Sequence, residues 1–362
     1  MDVRSLSRLR GGVYQMANTL VRSALETLHV KPAEWDEWIL KHEDYTPYHS
    51  AAWLQCVKET FGHPYYLLMI QQEGGCLLCP FVHVRSRLFG DRLVSVAYAN
   101  YGGPIGKLDS ESIEALLQHL SNLMRQIGVS VAEIRHRARM NEALPVRTHK
   151  VAYHLPLAED AGVMWDTFPK KIRNWVRKGQ KNGFVVRSGG EELVNDFYAA
   201  YSRNMRDLGS PVYPKNLFVK AIWSLPKTRV YAVYQGSTVV GGAVTICYQE
   251  RVHIPWASVI KPYKPLGANF LLHWHIIHDA IQEGYRVLDF GQSNRGATTT
   301  HFKEQWGAQE TPLYWEYVLL DGAQIPRTDH ADPRYALFVS IWKRLPLRVA
   351  NWLGPKIVRG IP

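Results

Sequence analysis

Residues 268–307 read ANFLLHWHIIHDAIQEGYRVLDFGQSNRGATTTHFKEQWG. The spacing of apolar residues predicts a helix over 268–282, stopped at Gly284, since glycine is the common residue just past a helix end. An apolar strand with Val287, Leu288 and Phe290 follows and ends at Gly291. A polar loop of Ser, Asn, Gly and Thr then leads to Phe302-Lys303 and Trp306-Gly307. Upstream, strands are predicted over 229–234 and 238–249 about Gln235-Gly236-Ser237, with a third over 252–257. The order is hairpin, strand, helix, strand.

The same order occurs earlier in the chain. Strands over 65–71 and 76–85 flank Glu73-Gly74-Gly75, and a third covers 92–98. A helix capped by Ser110 carries Ile113, Leu116, Leu117, Leu120, Leu123 and Met124 on one face, Gly128 stops it, and a strand covers 129–135. The copies are offset by about 160 residues, so the chain repeats one α/β unit. Between the copies the sequence predicts an all-helical insert, with helices over 164–181, 191–207 and 214–224. A last strand covers 313–320. The resulting division is an N-terminal extension over 1–30 with a helix over 13–28, a first domain over 31–160, a second over 161–325, and a tail over 326–362.

With 362 residues, 46% of them hydrophobic, the chain can bury two cores. Four cysteines are too few for a disulfide scaffold. Cys76 and Cys79 lie in a strand-like run that turns them to opposite faces, so all four read as reduced thiols, which suits the cytoplasm. Neither a signal peptide nor an apolar run long enough to span a bilayer is visible. The net charge of +11 is concentrated: residues 169–190 carry seven cations and no acid, and the chain from Arg334 carries six and no acid. Two local basic stretches imply two anionic contacts.

In the first stretch Arg173, Arg177 and Lys181 share a helix face, with Lys170, Lys171 and Lys178 beside it. Such clustering fits phosphate in a nucleotide sugar, a lipid pyrophosphate or a tRNA backbone. In the tail, Phe338, Ile341, Trp342, Leu345, Val349, Trp352 and Leu353 fall at helical spacing, interrupted by Pro346. That pattern suits either an anionic membrane surface or a helix docked on the protein's own core. His273, His275 and His278 share a helix, but no carboxylate joins them and no metal site is expected. Trp53, on a helix capped by Ser50, belongs either to the core or to a substrate-binding wall. Asp289-Phe290-Gly291 has neither the catalytic loop nor the glycine-rich loop of a kinase, and no GxSxG elbow is present. Direct transfer between two bound substrates needs only orientation, a polarised carbonyl and a destination for a proton. Lys303 can polarise the carbonyl, and His301, Glu304, Asp289, Asp207 or the substrate itself can take the proton.

The runs FPKKIRNWVRKGQKNGFVVRSGG, FYAAYSRNMRDLGSPVYP, the helix and strand quoted above, and HFKEQWGAQETPLYWEYVLL together resemble FemAB-type proteins. The nearest branch is the one associated with exosortase and exopolysaccharide loci, and the tail RLPLRVANWLGP also looks familial. The resemblance covers roughly 45–320 and implies two tandem GNAT-like domains, α/β with mixed sheets flanked by helices. It also implies an acyl- or aminoacyltransferase that forms an amide on an amine of a cell-envelope or exopolysaccharide precursor, lipid- or nucleotide-linked. The co-substrate would be acyl-CoA or aminoacyl-tRNA, with no permanently bound cofactor, and the protein would work in the cytoplasm or at the inner membrane face. The family's Phe-Lys pair matches Phe302 and Lys303, and its basic helices match Lys171, Arg173, Arg177 and Lys178. Gln292 stands where the family has an arginine, the long coiled-coil arm of some tRNA-using members is missing, and no R/QxxGxG/A loop is present. The expected site is therefore Lys303 with Phe302 as its wall, Asn269, Gln292 and Ser293 as hydrogen-bonding groups, Tyr213 and Trp53 as lining, and the four cations for phosphate. The alternative is a non-catalytic scaffold of polysaccharide machinery.

Overall fold

Runs of Val, Ile, Leu and Tyr closed by glycine turns become the strands of two sheets, in a computed structural model that describes residues 13–16, 19–23, 32–99, 101–326 and 333–362. The first unit starts with β1 (Val13–Met16), β2 (Thr19–Ser23), α1 (Pro32–Ile39) and α2 (Ala51–Phe61). It continues with β3 (Tyr65–Gln72), β4 (Gly75–Val84), β5 (Arg92–Ser95), β6 (Ile105–Gly106), α3 (Ser110–Ile127), β7 (Val131–His136) and β8 (Val146–Arg147). The second unit opens with β9 (Lys150–Pro156), α4 (Ala161–Thr167), α5 (Lys170–Lys181), β10 (Phe184–Gly189), α6 (Val194–Leu208) and α7 (Lys215–Ser224). Its repeat proper is β11 (Thr228–Gln235), β12 (Thr238–Tyr248), β13 (Arg251–Val259), α8 (Ala268–Gln282) and β14 (Val287–Asn294), followed by α9 (Thr298–Glu304) and β15 (Gln309–Pro312). Then come β16 (Tyr314–Leu319), α10 (Pro333–Arg344) and α11 (Leu347–Val358).

The sheet orders are β1-β2-β3-β4-β5-β7-β16-β8, with β6 beside β4, and β10-β11-β12-β13-β14-β9-β15. In each, two antiparallel pairings are followed by one parallel pairing across a helical crossover, α3 or α8. The repeat is therefore real at the level of hydrogen-bonded topology. Each sheet then takes an antiparallel strand on the far side of its crossover, β16 on β7 and β9 on β14. As a result 148–160 falls in the second unit, 313–325 in the first, and most of the tail (327–361) in the second, which differs from limits drawn in sequence order at 160 and 325. Strand partners are chosen by the open edge of a sheet, and local sequence does not show which edge is open.

Other expectations need correction. The helix over 13–28 is instead the β1–β2 hairpin, whose second strand pairs with β3; part of that range lies outside the described residues. Val13, Thr19 and Val21 are β-branched and suit a strand. The insert is not all helical, because β10 pairs with β11. The helix over 164–181 breaks at Phe168-Pro169, where proline begins α5 and cannot continue α4. Asp109, not Ser110, caps α3, its carboxylate accepting from Ser112 N at 2.8 Å. Ser50 does cap α2, and Gly62, Gly128 and Gly284 take positive φ at or just past helix ends.

Two glycines decide how α5 meets α8. A Cβ on Gly179 would lie 2.9 Å from Gly267 O, and one on Gly267 (φ +93°) would lie 2.6 Å from both Gly179 N and Trp175 O. With both positions bare, Ile172 and Val176 of α5 join Leu271 and Leu272 of α8 in the second core. Gly267→Ala is expected to cost about 3 kcal/mol, from left-handed strain plus overlap. Gly236→Ala, at positive φ but with nothing near its Cβ, serves as the control at about 1 kcal/mol. Equal losses in urea unfolding would show that the close approach contributes nothing.

Candidate functional site

β13 and β14 pair only at Arg251–Val287, Val252–Leu288 and His253–Asp289. Beyond that point they part, residues 256–259 staying with β12 and 292–294 with β9. At the fork β14 slips register between Asp289 and Gln292, and Gly291 takes φ +69°. A bulge of this kind turns main-chain groups out of the ladder. The first unit forks at the matching place, after Val94–Glu133. There the residue two past the last pair is Arg135, buried, ion-paired with Glu133 at 2.7 Å, donating to Ala99 O and lying over the Trp315 ring. That fork is filled by a charged side chain. In the second unit the corresponding residue is glycine.

Lys303, on the short helix α9, reaches the bulge. Its Nζ donates to Gly291 O at 2.7 Å and Gln292 O at 3.0 Å, and it lies 5.7 Å over the Tyr153 ring. The side chain is 8% exposed, and burial pushes its ammonium down to about 8, against the pull of Asp289. Asp289 is wholly buried. Burial opposes its charge, yet His253 and His154 hold the carboxyl well below its ordinary range. His253 Nδ1 is 2.8 Å and His154 Nε2 3.7 Å from Oδ2, while Gly291 N donates to Oδ1 at 2.8 Å. One carboxylate thus ties the two strands together and shapes the bulge.

Phe302 turns away from its lysine neighbour and packs against Phe270 and His273, with ring centroids 5.1 and 4.9 Å apart. His273 donates from Nδ1 to Asn269 O at 2.8 Å, and burial pushes its imidazole down to about 4, leaving Nε2 without a proton. The aromatic line continues from Phe270 to Trp175 of α5, stacked at 5.4 Å, and Lys178 lies 4.7 Å over that indole. The basic helix therefore connects to the fork through three rings. Lys171, Arg177 and Lys178 are exposed, whereas Arg173 is half-buried and pairs with Asp166 at 3.2 Å.

The other expected site residues divide. Gln292 and Ser293 directly follow the bulge, opposite Ala152 and Val151 of β9, and Gln292 Oε1 is buried without a hydrogen-bond partner. Asn269 is half-buried at the start of α8. Tyr213 is half-buried and meets Trp256, on the diverging part of β13, edge to face at 6.4 Å. Trp53 is a core residue of the first unit with no exposure, its ring against Tyr48, so it offers no wall to a substrate. Of the proton acceptors considered, Asp289 is locked in its network and Asp207 pairs with Arg206 at 2.7 Å at the end of α6. His301 and Glu304 remain outward on α9, and Glu304 Oε1 accepts from Tyr153. His275 Nδ1 bonds Leu271 O and His278 lies beside Asp279, and no cluster suited to a metal ion is found among the described residues. Sequence reasoning missed His154, His253 and Tyr153, which stand on strands remote in the chain and carry no local signature.

Residues 167–304, which end just past Lys303, match the family Acetyltransf_6, described as an acetyltransferase (GNAT) domain. With the strand order of that segment repeated in the first unit, the architecture is decided. The fold is a tandem GNAT fold. The chain is similar to the crystal structure of FemX (TM-score 0.62, 12% identity, covering 86% of this chain and 99% of that one). It is also similar to the C-terminal DUF2156 domain of a putative lysylphosphatidylglycerol synthetase from Agrobacterium fabrum (0.53, 11%, 86% and 96%). L-PGS from Bacillus licheniformis is a third similar structure (0.51, 13%, 90% and 97%). No curated protein sequence matches the chain significantly. In this tandem GNAT fold the fork of the second unit is the one that carries a glycine bulge clasped by a lysine. No helix among the described residues is long and apolar enough to cross a membrane.

Proposed function

We propose that the second GNAT unit transfers an acyl or aminoacyl group directly to an amine of a cell-envelope or exopolysaccharide precursor at the cytoplasmic face of the membrane. The observation that carries this reading is the clasped bulge. Lys303 spends two of its three donors on Gly291 O and Gln292 O, and the third is available to an acyl carbonyl oxygen at the mouth of the fork. The neutral amine attacks the carbonyl carbon, the developing oxyanion is met by the Lys303 ammonium, and the C–S or C–O bond to the donor breaks as the amide C–N bond forms. The proton lost by the amine ends on the leaving group. Gln292 Oε1, buried without a donor, orients the amine by accepting its N–H. Phe302, Phe270 and His273 keep water from one side. Ser293 and Asn269 supply hydrogen bonds around the reacting groups, and Tyr213 lines the pocket.

The donor is an acyl-CoA or an aminoacyl-tRNA, used as co-substrate, with its phosphates on Lys171, Arg177 and Lys178 and with Arg173 beside them. Two similar structures named for lysylphosphatidylglycerol synthesis or L-PGS support an aminoacyl donor and an envelope acceptor. Exchanging Lys171 and Arg177 for glutamate is expected to raise the donor KM about tenfold at low salt with kcat unchanged, since exposed cations attract phosphate without touching the reacting atoms. The test of the reading is incubation with a panel of acyl-CoA thioesters and aminoacyl-tRNAs plus amine acceptors, with the amide detected by mass. Precursor binding with no amide from any donor would instead make the protein a non-catalytic scaffold.

A further inference from the structure

The last two helices present apolar surface on two opposite sides. Inward, Trp342 of α10 and Ala350, Gly354 and Val358 of α11 are buried. A Cβ on Gly209 would lie 2.5 Å from Val339 Cγ1, Gly354 would similarly meet Val212 N at 2.8 Å, and Arg206 donates to Leu345 O at 2.9 Å. That inner face accounts for docking on the second unit. It leaves the outer face unexplained, for a docked surface helix ordinarily turns polar residues outward.

Here Leu337 is 62% exposed, Ile341 53%, Val349 38% and Trp352 64%. Leu337, Ile341 and Arg344 recur at i, i+4 and i+7, and Val349, Trp352 and Lys356 at i, i+3 and i+7, so each helix carries an outward stripe that is apolar first and cationic last. Lys356 Nζ lies 3.5 Å over the Trp352 ring. Lys343, Arg344, Arg348 and Arg359 are exposed alongside, with no acid from Arg334 onward. Leu208, beside the Gly209 that Val339 abuts, adds a further exposed apolar side chain at 54%.

We propose that the outer faces of α10 and α11 dock on an anionic lipid bilayer. Leu337, Ile341, Val349 and Trp352 enter the boundary between headgroups and acyl chains, and the cations that follow them in each stripe meet lipid phosphates. Charge complementarity singles out this occupant: exposed apolar anchors on two helices whose charged residues are all cationic, one of them resting on a tryptophan, fit a surface that is negative above and apolar below. An apolar-and-basic pair of signals gives reversible binding, with no spanning segment required.

The experiment is sedimentation of the full chain with sucrose-loaded vesicles, and because it reads partition rather than turnover its outcome is separate from that of the acyl-transfer reading. Vesicles of phosphatidylcholine containing phosphatidylglycerol are expected to hold the protein at least about tenfold more strongly than phosphatidylcholine alone, with the difference shrinking in high salt. The double variant I341S/W352S is expected to partition about tenfold less, its circular dichroism melt unchanged because both side chains point away from the docked face. K343E/R344E/R348E is expected to remove the preference for phosphatidylglycerol. Equal partition into both lipids, or undiminished partition of I341S/W352S, would overturn the proposal. So would a dimer in solution that I341S/W352S disperses while no vesicle is bound, since the face would then join two copies of this chain.

Discussion

Lys303→Met is expected to lower kcat by about 10²–10³-fold, the range found when one preorganised donor to an oxyanion is removed. In the proposed function other residues bind donor and acceptor, so KM is expected to change little. Two further readouts separate this role from a structural one. The Lys303 ammonium titrates near 8 because burial disfavours its charge, so a rate that needs the protonated form falls as pH rises through about 8. Lys303→Arg keeps a charge that does not titrate in this range, and the alkaline limb is expected to disappear even if the altered geometry slows the reaction. Full turnover in Lys303→Met, or an unmoved limb in Lys303→Arg, would reject Lys303 as the carbonyl partner. A stability loss accompanies the methionine variant, about 1–3 kcal/mol for leaving Gly291 O and Gln292 O without their donor. The pH limb is therefore the more telling measurement.

The second large effect concerns Asp289. Its carboxylate is fully buried and engages His253 and Gly291 N, both at 2.8 Å. Asp289→Asn places an amide where the charge stood and is expected to cost about 3–5 kcal/mol in urea unfolding, the usual penalty for removing one partner of a buried pair. The sign with pH follows from the direction of the shift. The folded carboxyl lies below its unfolded value of 3.8, so its contribution is present above that value and is lost as pH falls through the folded one. Wild type and Asp289→Asn should therefore differ most near neutrality and converge in acid. A difference that grows toward low pH would mean that Asp289 is not held as an ion.

How much of this was legible in the residues themselves depends on the range over which each feature acts. The repeat could be read because a hairpin turn, a helical stripe such as Ile113, Leu116 and Leu120, and a stop such as Gly128 are local patterns. Lys303 could be singled out because it follows a strand and a polar loop. The bulge that gives Lys303 its partners could not, for Gly291 looks like an ordinary strand end until β14 is seen paired with β9 on one side and parting from β13 on the other. His253 lies 36 residues from Asp289, and Tyr153 lies 151 from Glu304. No periodicity links such pairs. Trp53 shows the converse: a tryptophan near a helix start reads equally as wall or core, and only its surroundings place it in the core.

By itself the sequence determined the α/β repeat, the helix stops at Gly62, Gly128 and Gly284 and the two acid-free cationic stretches, since propensity, periodicity and charge are carried by neighbouring residues. Only the tertiary structure decided that β9 and β16 enter their sheets out of sequence order, that a buried Arg135 stands at one fork while a Gly291 bulge clasped by Lys303 stands at the other, and that the tail turns one apolar face inward and another out. Those outcomes depend on which sheet edges are free and which side chains compete for one buried space, and these are properties of packing between segments far apart in the chain.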